Sequence, residues 1–161
     1  MCPSRVALLL FTASWIGPLA GTAATSDEIA GVFKLVSVEA TAGGEVSHPL
    51  GRAPKGLLIL TPNGFWSAQL MAEAHTQPGD DALRSYRAHF GTYTLDEGAR
   101  KLVLHREGDL DAAGVGSDTL RLYAFEGKRV TMTLPPENRG GVEVTTRVVW
   151  ERVEAFPSAA R

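Results

Sequence analysis

The sequence has 161 residues, with 16 Lys and Arg against 18 Asp and Glu, and a net charge of −2. The charges are interspersed and form no basic run, which argues against nucleic acid or an anionic membrane surface as a partner. A single cysteine, Cys2, excludes an intramolecular disulfide and leaves stability to a hydrophobic core.

Residues 1–24 have the layout of a secretory signal peptide. A basic residue, Arg5, precedes an apolar run, and small residues follow that run. The alternative is a retained membrane anchor, but a Gly-Pro pair at 17–18 breaks the run, which is shorter than the ~20 apolar residues of a spanning helix. We therefore predict cleavage after Ala23 or Ala24, no membrane span after cleavage, and a secreted or periplasmic location.

Short runs rich in β-branched and aromatic residues recur along the rest of the chain, separated by turn residues. In chain order, the predicted strands are 31–40, 55–61, 64–71, 86–96, 101–108, 118–127, 129–136 and 142–153. The Thr-Pro-Asn-Gly sequence at 61–64 predicts a hairpin turn, and Gly91 predicts a bulge or bend within its strand. Residues 72–86 are the one place for a helix.

Strands in meander order with a single helix predict an all-β fold. We expect one antiparallel, closed or nearly closed β-barrel of about eight to ten strands with one short helix, after the signal peptide. We assign residues 25–155 to this domain and 156–161 to a C-terminal tail. Cleavage after residue 24 leaves 161 − 24 = 137 residues, enough for one domain with its own core. A barrel of about eight strands is either filled by side chains or holds one small ligand.

The strand 64–71 has one apolar face and one mixed face. Alternation puts Trp66, Ala68 and Leu70 on the first face, and Phe65, Ser67, Gln69 and Met71 on the second. We expect the mixed face to point into the barrel, where Ser67 and Gln69 would orient a ligand in an apolar pocket. The opposite orientation predicts a plain filled core with no site.

Five stretches together resemble the bacterial and fungal lipocalin-like domain family, a branch of the calycin-type barrels: GVFKLVS, VSHPLGRAPKGLLILTPNGFWSAQLM, AHFGTYTLDE, LHREG and TTRVVWER. The resemblance runs from about Gly31 to Arg152 and is most specific between His48 and Met71. It implies that Phe33 takes the place of the Trp in the lipocalin signature and that Arg152 packs over its ring. Some members accompany small-molecule biosynthesis or breakdown, so the resemblance also implies a place in secondary metabolism.

The first functional prediction is binding of a small apolar or amphipathic molecule in the barrel. Its predicted ligand-binding residues are Phe65, Ser67, Gln69, Tyr93, His105 and Tyr123. The second hypothesis is a cofactor-independent isomerase, cyclase or lyase that uses the same cavity. His105 or Glu107 would be its catalytic, proton-transferring group, because residues two apart share a strand face and a carboxylate can orient an imidazole. The alternative for this pair is a structural hydrogen bond, and the third hypothesis for the protein is a filled barrel with a structural role in the envelope.

No motif predicts a metal or a cofactor. Glu107, Asp109 and Asp111 alternate and could hold Ca²⁺, but a solvated acidic turn is the simpler interpretation. The four histidines are scattered along the chain, and no phosphate-binding or dinucleotide-binding glycine pattern occurs. The sequence carries no signal for the oligomeric state.

The signal-peptide assignment predicts where the exported chain begins. N-terminal sequencing of the exported protein should start at Ala24 or Thr25, because the apolar run is cut and not retained. A Leu8→Arg control, which places a charge inside the run, should remain uncleaved in the cell. Finding Met1 or Cys2 on the exported protein would contradict the assignment.

Overall fold

The computed structural model describes residues 26–74 and 85–153, and their strands form one antiparallel sheet. The strands are β1 (Gly31–Ala42), β2 (Glu45–Ser47), β3 (Lys55–Leu60), β4 (Phe65–Met71), β5 (Tyr86–Asp96), β6 (Lys101–Asp109), β7 (Asp118–Glu126), β8 (Arg129–Thr133), β9 (Glu137–Arg139) and β10 (Val142–Arg152). One helical turn, α1 (Ser26–Ile29), precedes β1, and a 3₁₀ turn (Ala112–Gly114) lies between β6 and β7. The predicted signal peptide and most of the predicted helix at 72–86 lie outside the described residues.

The sheet closes into a barrel because β1 and β10 pair with each other. Eight strands run round the barrel in the order β1-β3-β4-β5-β6-β7-β8-β10, and the short strands β2 and β9 extend the sheet beside β1 and β10. Along the closing seam, Phe33 lies opposite Arg152 and Ala42 lies opposite Val144. The predicted closed antiparallel barrel is confirmed.

One end of the barrel is sealed by the packing of Arg152 over Phe33. The Arg152 guanidinium carbon lies 4.6 Å from the centroid of the Phe33 ring, which is fully buried. The same guanidinium donates hydrogen bonds to the carbonyl oxygens of Ala30, at 2.6 Å from Nη1, and of Glu28. It thereby ties α1 to the seam, and Ile29 of α1 is also fully buried. The contact implied by the family resemblance is confirmed.

The predicted orientation of β4 is wrong. Trp66 and Ala68 are each 3% exposed and face inward, whereas Phe65 is 52% exposed on the outer face. Ser67 and Gln69 are half-buried on that outer face, where Gln69 Nε2 donates to Ser67 Oγ at 2.8 Å. Burial of the large indole decides the orientation, because it removes more apolar area from water than burial of any side chain on the mixed face.

The irregularity predicted at Gly91 is present as a β-bulge between β5 and β6, but the extra residue lies on β6 and not within the strand of Gly91 itself. Phe90 pairs with Gly108 and Gly91 pairs with Arg106, so Glu107 is one extra residue on β6 without an opposite partner. A Cβ at Gly91 would overlap the backbone carbonyl of His105. Glycine is therefore required where the two backbones approach most closely, and the bulge shifts the face on which the residues after Glu107 lie.

The sealed end yields a stability prediction. Phe33→Ala should lower the free energy of unfolding by about 3–5 kcal/mol, because it opens a cavity beneath Arg152 in a fully buried site. Phe65→Ala is the matched control: its exposed ring on the outer face should cost less than about 1 kcal/mol. Urea unfolding of both variants measures the difference. Equal losses would show that the Phe33 ring is not a core element.

Candidate functional site

The barrel encloses a cavity of about 440 Å³. It lies toward the end opposite Arg152, because its lining includes Ala40 in the second half of β1 and Thr146 in the first half of β10. Its size is within the range of cavities that hold small ligands. Side chains on the inner faces of the strands line this cavity. Because the cavity is present, the barrel is not filled by side chains from end to end.

The cavity wall has an apolar side. It comes from inward-facing residues of β1, β3, β4, β8 and β10 and from the chain after β8: Val38, Ala40, Leu58, Trp66, Ala68, Leu70, Met132, Leu134, Val148 and Trp150. Trp66 and Trp150 are each 3% exposed and supply the largest flat surfaces. Aromatic and aliphatic groups of this kind can bind an apolar body through surface burial alone.

The other side of the wall is polar and is built by three neighbouring strands. Arg87 and His89 lie on β5, Arg106 and Asp109 on β6, and Arg121 on β7. Within the described residues, this side therefore carries three guanidinium groups and one carboxylate. At the rim, the lining continues with Arg139, which binds Glu137 at 2.9 Å, and with Asp111.

The one carboxylate on this side, that of Asp109, already accepts hydrogen bonds within the described residues. Asp109 Oδ2 accepts a hydrogen bond from Arg106 Nη1 at 2.9 Å, and Oδ1 accepts one from the backbone N–H of Asp111 at 2.9 Å. Gly114 of the 3₁₀ turn packs on this pair, since a Cβ there would lie 2.7 Å from the Asp109 carboxyl carbon. The bulge at Glu107 makes the pair possible, because positions 106 and 109 of a regular strand face opposite sides.

His89 is a neutral group at physiological pH. Burial, followed by the nearby charge of Arg106, lowers the pKa of His89 to about 4, and the opposing effect of Asp109 is smaller. Its Nδ1 lies 3.8 Å from Asp109 Oδ2, within ion-pair distance but beyond hydrogen-bond reach, and the two attract as an ion pair only when His89 is protonated. The imidazole instead packs on Trp66, with ring centroids 5.1 Å apart.

Arg121 on β7 is a partly buried arginine of the polar side. Burial, and then repulsion from Arg106, lowers the pKa of Arg121 to about 10, while Glu137 acts in the opposite direction. The group remains charged at neutral pH. One of its five N–H donors is used by the carbonyl of Leu120, at 2.8 Å from Nη1.

Two buried polar atoms next to this side have no hydrogen-bond partner among the described residues. They are Arg106 Nε and Thr119 Oγ1. Thr119 pairs with the inward-facing Leu104 and precedes Arg121 by two positions, so it shares the inner face of β7. The side chain of Arg87 likewise has no hydrogen bond or ion pair among residues 26–74 and 85–153. Buried donors without partners cost free energy, and Arg106 lines the open volume of the cavity, whereas Thr119 is not among its lining residues.

The six ligand-binding residues predicted from sequence do not line this cavity. Phe65, Ser67 and Gln69 lie on the outer face of β4. Tyr93 and Tyr123 are buried and face inward outside the cavity, and the Tyr93 hydroxyl donates to the Thr61 carbonyl at 2.6 Å. A role for these residues in binding stays a prediction from the sequence.

The predicted pairing of His105 with Glu107 is also not formed. His105 Nδ1 lies 2.8 Å from Asp118 Oδ1, directly across the β6–β7 ladder, and Nε2 lies 3.4 Å from Thr94 Oγ1. Glu107 is exposed at the bulge. Neither residue lines the cavity, so a catalytic role for them stays a prediction without support from their position.

The described chain shows no converging metal-ligand set of three or more His, Cys, Asp or Glu side chains. The acidic residues Asp109 and Asp111 are used within the loop, where Asp111 Oδ1 accepts the backbone N–H of Ala113 at 3.1 Å. Across residues 26–74 and 85–153, we also find no helix with the length and apolarity that a membrane crossing requires.

An eight-stranded antiparallel barrel, sealed at one end by an arginine over an aromatic ring and hollow toward the other, defines a lipocalin-like barrel. The sequence comparison agrees: the model of the Lipocalin-like domain family matches residues 30–153, and the chain belongs to that family. No curated protein matches the chain. No solved structure matches it.

The depressed pKa of His89 predicts a pH-dependent stability. In the unfolded chain this group titrates near 6.5 and in the folded protein near 4, so the unfolded chain binds more protons between these values. The free energy of unfolding therefore keeps its full value with respect to His89 above pH 6.5. It decreases as the pH falls, by about 2 kcal/mol at pH 5.

Urea unfolding at pH 7.5 and pH 5.0 measures this loss, and His89→Gln is the control. The drop in unfolding free energy between the two pH values should be about 2 kcal/mol smaller in His89→Gln than in the original protein. The carboxylates titrate in both proteins and cancel in this comparison. An identical drop in the two would show that His89 is not desolvated.

Proposed function

We propose that the protein binds a small, largely apolar molecule in the cavity of its barrel. The observation that carries this proposal is the lining: two tryptophans and a set of aliphatic side chains face an open volume of about 440 Å³. Apolar groups around an unfilled volume lose packing and gain it back when a ligand occupies the space. Membership of the lipocalin-like domain family supports the same class of function.

The two alternatives from the sequence have less support. The filled, structural barrel is not favoured, because a cavity of ligand size is present. The isomerase, cyclase or lyase was based on His105 and Glu107, which lie outside the cavity lining. We propose export for a separate reason, the signal-like composition of residues 1–24.

Cavity binding is tested by filling the cavity. The neutral fluorophore N-phenyl-1-naphthylamine should bind the protein with enhanced emission, and Ala68→Phe should weaken its affinity about tenfold or more, because the added ring occupies the volume. Ser67→Phe is the matched control: it adds the same ring on the outer face of the same strand and should leave the affinity unchanged.

Thermal unfolding followed by circular dichroism checks that both variants fold. Should Ala68→Phe fail to fold, Ala40→Leu makes a smaller intrusion into the same lining and replaces it. Equal affinities for the original protein, the cavity variant and the control would contradict binding inside the barrel.

A further inference from the structure

We infer that the ligand of this cavity carries an anionic group, a carboxylate in the first instance, which is bound by the guanidinium groups of Arg121, Arg106 and Arg87. This inference rests on the proposed function and makes it specific. It replaces a generally apolar ligand by an amphipathic anion whose charged group faces β5–β7 and whose apolar body faces the opposite side of the wall.

The first argument is the imbalance of charge on the polar side. Three arginines on adjacent strands face one carboxylate, that of Asp109, whose two oxygens already accept hydrogen bonds from Arg106 and from the backbone of Asp111. Charges withdrawn from water are costly unless a counter-charge satisfies them. Among the described residues, Glu137 opposes the charge of Arg121, but Glu137 is itself paired with Arg139 at 2.9 Å. An anion in the cavity would therefore relieve a cost that the protein alone does not.

The second argument is the supply of free donors. Arg106 lines the cavity, and its Nε is buried and without a hydrogen-bond partner among the described residues. Arg121 uses one donor on the Leu120 carbonyl, and the side chain of Arg87 has no partner in the described part of the chain. A planar guanidinium matches a carboxylate with two parallel hydrogen bonds, which a neutral apolar ligand would leave unmade.

The third argument is the division of the wall. Charged lining residues are concentrated on β5, β6 and β7 and continue at the rim with Asp111 and Arg139, while the lining residues of β1, β3, β4, β8 and β10 are apolar with the exception of Thr146. A uniformly apolar ligand would desolvate the arginines without compensation, and a uniformly polar one would leave the tryptophans without a partner. A molecule with one anionic group and one apolar body satisfies both sides at once.

The test compares two probes of equal length, decanoate and 1-decanol, by displacement of N-phenyl-1-naphthylamine at pH 7.5. Decanoate should bind about tenfold or more tightly than 1-decanol, because only its head group forms charge-assisted hydrogen bonds. Added NaCl should weaken binding of decanoate and not of 1-decanol. Acetate, the head group without the apolar body, should not displace the fluorophore at the same concentrations.

Arginine variants then identify the contact. Arg121→Gln should lower the affinity for decanoate by about tenfold while that for 1-decanol stays the same or rises, because the lost contact is to the charged group alone. Arg147→Gln, which removes an exposed arginine of β10 outside this cavity, is the matched control and should change neither affinity. Should Arg121→Gln fail to fold, Arg87→Gln at the exposed edge of the polar side takes its place.

The outcomes separate this inference from the proposed function. If 1-decanol binds and decanoate binds no more tightly, the anion inference is wrong and cavity binding of apolar molecules stands. If neither probe nor the fluorophore binds, the proposed function itself is wrong. If decanoate preference persists in the arginine variants and in Arg147→Gln alike, the anion is bound elsewhere and the assignment to this wall is overturned.

Discussion

The closing of β1 against β10 is the constraint on which every other feature of the molecule depends. Only a closed sheet has an inside, and here closure joins residues at the two ends of the described chain. Arg152 spans 122 positions of sequence to donate to the Ala30 carbonyl, and it lies over the ring of Phe33. An arginine on an aromatic face contributes about 0.5–2 kcal/mol, but its larger effect is positional: it fixes which end of the barrel is solid and hence where open volume can lie.

The two sides of the cavity have opposite effects on the stability of the fold. The apolar side stabilises the fold through the burial of Trp66 and Trp150, whereas the side with Arg106 and Arg121 withdraws charge from water and gives part of that stability back. The protein offsets some of this cost with the Arg106–Asp109 pair. A barrel selected for stability alone would have filled this side with aliphatic residues, so the retained charges indicate a site.

The sequence was sufficient for features that depend on local pattern and failed for those that depend on register. The eight strands of the barrel, the irregularity at Gly91 and the Phe33–Arg152 contact follow from alternation, glycine chemistry and family resemblance, whereas the short strands β2 and β9 were not predicted. The orientation of β4 did not follow, because both of its faces carry apolar groups and only the packing of the whole barrel selects one. The partner of His105 was missed for a related reason: it is Asp118, across the ladder, and cross-strand pairing cannot be read from spacing along one strand. Asp109 faces the interior only because of the extra residue at Glu107, which no spacing rule includes.

That extra residue also makes the chemistry of the wall sensitive to chain length. In β6, the chain after Glu107 is offset by one position relative to its partner strand. Deleting a single residue there would turn the carboxylate of Asp109 toward solvent and leave Arg106 without its counter-charge, although no side chain had been exchanged for another. Among barrels of this architecture, the number of residues between Arg106 and the following turn is therefore as informative about the interior as the identity of those residues. A sequence alignment that treats this difference in residue number as an ordinary gap would miss a change in the ligands that the barrel can bind.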